Sequence, residues 1–108
     1  MSNIRLIDCH THTSNSPDGK HSTYAVCQQA LLNRLGGLAI TDHCECDQYD
    51  GSPEFGGRKY YDVVRRAWRE LEENRKRFPN LRLLKGIELG QPLQNLPAAR
   101  DEIGRAHV

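Results

Sequence analysis

The chain has almost no excess charge of either sign: its 108 residues carry 15 Lys plus Arg against 14 Asp plus Glu, a formal net charge of +1. A surface so balanced offers no basic stripe for nucleic acid or an anionic membrane, and leaves small anionic substrates possible. Long apolar runs are missing too. No stretch approaches the roughly 18 residues of a membrane span. The opening Met1-Ser2-Asn3-Ile4-Arg5 lacks the charged region and apolar core of an export signal. No membrane contact and a cytoplasmic location are therefore expected. Regular cysteine spacing is also missing: Cys9, Cys27, Cys44 and Cys46 are placed too irregularly for a disulfide framework or a four-cysteine zinc knuckle. They read as reduced thiols, with Cys44 and Cys46 bystanders rather than soft metal ligands. Repeats and low-complexity tracts are absent. The remainder, 37% apolar and 27% charged, is the composition of one ordinary small domain whose oligomeric state is left open.

What is present is an alternation of short apolar runs and amphipathic segments. Residues 4–9 read as a strand. Ser22 or Thr23 caps a helix from about 23 to 35, with Val26, Cys27, Ala30, Leu31 and Leu35 as its inward stripe and Gly36-Gly37 as a left-handed stop. A second strand at 38–41 leads into a polar, Gly-rich loop from Cys44 to Gly57. Tyr60, Val63, Val64, Ala67, Trp68, Leu71 and Phe78 then recur at helical spacing opposite a charged face, and Pro79-Asn80 ends that helix. A third strand at 81–87, a loop opening with Gly90-Gln91-Pro92 and a helix start near Pro97 complete the pattern. The order β-α-β-α-β with right-handed crossovers builds a parallel sheet, and such sheets collect ligands at the carboxyl ends of their strands. An open doubly wound sheet and a closed barrel both obey that rule.

Metal-competent side chains follow each apolar run: His10 and His12 after the first, His43 after the second, Glu88 after the third, with Asp18 in the loop behind His12. Two imidazoles two residues apart share one face of an extended strand and can chelate one ion. Neutral imidazole with carboxylate suits zinc, manganese or iron, and the two oxygens of Glu88 can bridge two ions. Asp8 and Asp42 read as hydrogen-bond partners rather than ligands. His21 reads as a solvated loop residue, and Trp68 as core. Arg58, Lys59, Arg65, Arg66 and Arg69 read as a mostly solvated face, with Arg58 and Lys59, beside Gln91, as candidates to contact substrate.

The segments Asp8-Cys9-His10-Thr11-His12-Thr13, Ser16-Pro17-Asp18-Gly19, Ala39-Ile40-Thr41-Asp42-His43 and Gly86-Ile87-Glu88 together resemble the polymerase and histidinol phosphatase (PHP) family of metal-dependent phosphoesterases. The resemblance covers about residues 4 to 92. It implies an α/β fold, the N-terminal part of a distorted (β/α)7 TIM-like barrel, with three divalent ions in the complete site. His10, His12 and Glu88 would hold the first, Glu88 would bridge to the second, and Asp18 and His43 would bind the third. It further implies phosphomonoester hydrolysis by metal-bound water, with no side-chain acid or base assigned. Gly86-Ile87-Glu88-Leu89-Gly90-Gln91-Pro92 and Ser16-Pro17-Asp18-Gly19-Lys20 look most like bacterial histidinol phosphatases, which implies hydrolysis of L-histidinol phosphate, a small phosphorylated metabolite, in histidine biosynthesis. The alternatives are a nucleotide phosphatase or nuclease of the same family, and a non-catalytic module. The family pattern continues with further histidines and an Asp-x-His motif that the 108 residues do not contain, so this chain is expected to be an inactive fragment. Glu102-Ile103-Gly104-Arg105-Ala106-His107-Val108 matches one frame of a sequencing-library adapter. Residues 1–101 are accordingly expected to be domain and 102–108 a non-native tail, which discounts His107.

Overall fold

The structure, a computed structural model, describes residues 5–51, 53 and 56–106. The expectations for Ile4 and His107 lie outside them. In chain order the elements are β1 (Ile7–Thr11), α1 (Thr23–Leu32), β2 (Gly37–Ile40), β3 (His43–Glu45), α2 (Tyr60–Arg77), β4 (Arg82–Lys85), β5 (Glu88–Gly90) and α3 (Leu96–Arg105). Short 3-10 turns at Cys46–Gln48 and Pro92–Gln94 follow β3 and β5. The expected parallel arrangement is found: β2 lies between β1 and β4, and β3 pairs with β5. The result is a mixed α/β domain with an open sheet, and the described residues close no barrel.

The second and third strands differ from their expected form, because each is broken once and then resumes. The ladder carries across the break: the Gly86 N–H donates to Ile40 O at 3.0 Å and the Glu88 N–H to Asp42 O at 3.1 Å. Cys44, expected in a loop, therefore sits in β3. Two local causes account for the break. The Asp42 carboxylate turns inward to accept from the Thr13 N–H at 2.6 Å, the Thr13 hydroxyl at 2.7 Å and the Ser16 hydroxyl at 2.8 Å, which draws its backbone aside. Opposite, a Cβ on Gly86 would stand 2.9 Å from Thr41 Cγ2, so only a bare Cα lets the strands stay this close.

β1 is shifted as well, running to Thr11, so His10 lies within the strand rather than beyond it. The Thr11 hydroxyl donates to Ala39 O at 2.5 Å and the Thr41 N–H to Thr11 O at 2.7 Å, which holds this end of β1 to β2. α1 is capped by Ser22, whose hydroxyl accepts from the Ala25 N–H, but it ends at Leu32. The left-handed residue is Arg34, φ 58°, and neither Gly36 nor Gly37 has positive φ. Those glycines serve close approach instead, since a Cβ on Gly37 would lie 2.3 Å from Arg82 O. Leu31, placed on the inward stripe by its spacing, is 49% exposed.

Two apolar clusters form the core, and α2 contributes to both. Leu71 and Phe78 join Cys27, Ala30, Leu38, Ile40, Leu81 and Leu83 beneath the three-stranded sheet. Tyr60, Val63 and Val64 pack with Cys44, against Ile87 and Leu89, beneath β3 and β5. Burying each larger aliphatic or aromatic side chain is worth about 1.5–3 kcal/mol. Trp68 also donates its indole N–H to Gly86 O at 3.0 Å, satisfying a carbonyl freed at the break. Asp62 in the first turn and Arg75, Lys76 and Arg77 in the last complement the helix dipole. α3 is capped by Asn95 and runs unbroken past Asp101 to Arg105. Its Glu102, fully buried, accepts from the Tyr49 hydroxyl and from Arg65 Nη1 at 2.8 Å. Arg65 is thus an interior ion-pair partner, lying 4.0 Å over the Tyr61 ring, and not part of a solvated face.

Candidate metal centre

Four segments bring the candidate ligands to the carboxyl end of the three-stranded sheet. β1 carries His10, the chain just after it carries His12, the following turn carries Asp18, and β3 and β5 open with His43 and Glu88. The last two are direct register partners across the ladder. Asp8 holds the approach to His10 by accepting from its N–H at 3.0 Å. The Asp18 turn is fastened from inside: Ser14 N–H donates to His21 O at 2.7 Å, and a Cβ on Gly19 would come within 1.7 Å of Thr13 O. The Ser16 hydroxyl accepts from the His43 N–H at 2.8 Å while donating to Asp42. Asp42 is therefore the hydrogen-bond partner the sequence suggested, a buried side chain that fixes the turn and the start of β3 together.

The side chains meet closely. His10 Nε2 lies 3.1 Å from His12 Nε2 and 2.7 Å from Glu88 Oε1. His12 turns its other nitrogen, Nδ1, to Asp18 at 3.0 Å. His43 Nε2 lies 3.1 Å from Asp18 Oδ2, and its Nδ1 lies 2.7 Å from Glu88 Oε2 and 3.2 Å from Glu45 Oε1. Two sets offer ligand atoms within 4.8 Å of one another, His10 with His12 and Glu88, and His12 with Asp18 and His43. His12 belongs to both. Several lone-pair donors converging on one point repel unless a proton or cation sits among them. Imidazole nitrogen and carboxylate oxygen are donors that suit borderline divalent ions, so the residues fit such a cation.

Electrostatics agree with this reading. Burial pushes the Asp18 carboxyl up, but hydrogen bonds and attraction from His43 and His12 outweigh it and hold the group below its usual value. Burial likewise disfavours a charged His43, yet the hydrogen bond to Asp18 and the charges of Glu88 and Asp18 leave its pKa raised. A cation would act on the same carboxylates in the imidazolium's place.

Beside these groups opens a cavity of about 300 Å³ lined by Asp18, His43, Glu45, Asp47, Tyr60 and Gln91, among others. The structure places Gln91 on the wall of this cavity and leaves Arg58 and Lys59 elsewhere, on a smaller cavity with Asn15, Asp62 and Arg66. His21 lines a third cavity, alongside α1. Cys44 and Cys46 are buried, and among the described residues neither belongs to a set able to hold a cation. Glu45 is the residue the sequence reading missed. Its signal was position, two residues past His43 and hence on the same face of a strand, but a strand was not expected there.

A family model described as PHP domain matches residues 8–105. No curated protein and no solved structure matches the chain.

Proposed function

The chain belongs to the PHP domain family, whose members are typically hydrolytic, and we propose that its His10, His12, Asp18, His43 and Glu88 are part of the metal site of a metal-dependent phosphoesterase. The observation that carries this reading is the convergence of three imidazoles and two carboxylates, from four separate segments, on one end of a parallel sheet. Divalent ions bound there supply Lewis-acid polarisation of phosphoryl oxygens and a water of lowered pKa. The chain's own residues bind and orient. Glu88 turns one oxygen to His10 and the other to His43, so its carboxylate links the two ligand sets. His12 links them a second time through its two ring nitrogens. The donor set suits zinc, manganese or iron, with three ions in a complete site.

The substrate we propose is L-histidinol phosphate. Two features support it: the likeness of residues 86–92 and 16–20 to histidinol phosphatases, and the lining of the adjoining cavity. Asp18, Glu45 and Asp47 face that cavity, and no Lys or Arg is among its described lining residues. Such a wall favours a leaving group bearing an amine and disfavours further phosphates. Titrating the manganese-loaded chain with L-histidinol phosphate and with adenosine monophosphate separates the readings. Metal-dependent binding that prefers histidinol phosphate is expected. A preference for the nucleotide favours a nucleotide phosphatase, and no metal-dependent binding of either ester favours a non-catalytic module.

A further inference from the structure

We propose that Glu45 is a positioning residue for the cation site: its carboxylate holds the Nδ1 side of His43, so that Nε2 is presented beside Asp18 and His12. The inference rests on the cation-binding reading above and adds to it a residue outside both ligand sets.

The two ring nitrogens of His43 face opposite ways. Nε2 lies 3.1 Å from Asp18 Oδ2, and Nδ1 faces two carboxylates, Glu88 at 2.7 Å and Glu45 at 3.2 Å. An imidazole that ligates through Nε2 must carry its proton on Nδ1, and an acceptor at Nδ1 fixes both that tautomer and the ring's orientation. Glu88 cannot be reserved for this task. Its Oε1 is 2.7 Å from His10 Nε2, and it is the carboxylate of the His10, His12 and Glu88 set, so a cation held there would compete with His43 for it. Glu45 belongs to neither set and is the acceptor left at Nδ1.

The neighbouring ladder makes room for this carboxylate. Glu45 is the register partner of Gly90, just as His43 is of Glu88. A Cβ at Gly90 would fall 1.9 Å from Glu45 Oε2 and 2.7 Å from Oε1. Gly90 is not among the positive-φ residues, so the missing side chain serves space and not a turn. The second rung of the two-stranded ladder thus seats the group that orients a ligand on the first.

The geometry supplies two independent ways to remove the contact. Glu45→Ala deletes the carboxylate, and Gly90→Ala displaces it while leaving it in the chain. Glu45→Gln keeps an oxygen that can accept from Nδ1–H. Long-range proton–nitrogen NMR of the imidazoles of the full chain, with and without Zn²⁺, together with calorimetric Zn²⁺ titration, reads the result. In the zinc-loaded parent chain His43 should be protonated at Nδ1 with a zinc-shifted Nε2. Glu45→Ala and Gly90→Ala should both lose that single tautomer and bind Zn²⁺ roughly 10- to 100-fold more weakly, while Glu45→Gln retains the tautomer. The proposal is overturned if both alanine variants keep the parental tautomer and affinity. Failure of the parent chain itself to bind Zn²⁺ through His10, His12 and His43 is a separate result, which removes the cation-site reading and this inference with it.

Discussion

β2 and β3 are successive pieces of one extended run, as are β4 and β5, yet the two halves of each run are built for different ends. All four residues of β2 are buried, which is the pattern of a strand covered on both faces. β3 alternates instead: Cys44 is buried, while His43 and Glu45 on the other face are partly exposed. The break at Asp42 and Gly86 divides a region that holds the fold together from one that holds ligands, and it lets the second be polar without weakening the first. The lesson is that packing and chemistry are separated here by a kink within single strands rather than by loops.

Substitutions on either side of the break test that division. The largest effect on stability should come from Leu71→Ala, fully buried under the three-stranded sheet, which should lower unfolding free energy by about 2–5 kcal/mol in denaturant titrations. If the division holds, His43→Ala should leave the unfolding midpoint nearly unchanged. His12→Ala should weaken Zn²⁺ binding more than His10→Ala, because His12 alone is common to both ligand sets. Its loss should exceed the roughly hundredfold typical of residues that merely orient a ligand, measured by calorimetry, and equal losses for the two variants would remove the idea of a shared ligand. Asp42→Asn should blur the comparison by acting on both sides. The buried carboxylate accepts three hydrogen bonds, so a cost of about 1.5–3 kcal/mol is expected together with weaker Zn²⁺ binding. The smallest effect concerns the thiols. Burial pushes Cys27 up to about 11 and raises Cys44 and Cys46, so these stay protonated at pH 8 and react only as pH climbs past their raised values or as the chain unfolds. Brief maleimide treatment of the folded chain should therefore add one label, at exposed Cys9, by mass spectrometry.

Much of this was legible in the amino-acid order. The spacing of Tyr60, Val63, Val64, Ala67 and Leu71 fixed the inward face of α2 correctly, and the histidines and carboxylates singled out after the apolar runs do lie together in space. What escaped had physical causes. Glycine pairs suggest left-handed stops, but at Gly36 and Gly37 the demand was for room against neighbouring strands, which depends on contacts distant in sequence. Polar residues after His43 suggested a loop, and only pairing with β5 made Glu45 a strand residue facing the site. Arg65 looked solvated because its partner, Glu102, lies far along the chain in the segment whose sequence had suggested a tail.

Helix α2 supports both regions, with Tyr60 and Val63 under the ligand-bearing ladder and Leu71, followed by Phe78 just past the helix end, under the main sheet. Amide hydrogen exchange along this one helix should therefore be graded, slow at the Leu71 end and faster toward Tyr60, where fewer apolar groups resist opening. A cation bound at the strand ends should slow exchange mainly in those first turns, because it stabilises only the conformations in which they are docked. The helix would then report occupancy of a centre to which it contributes none of the candidate ligands, as a local change in its opening equilibrium.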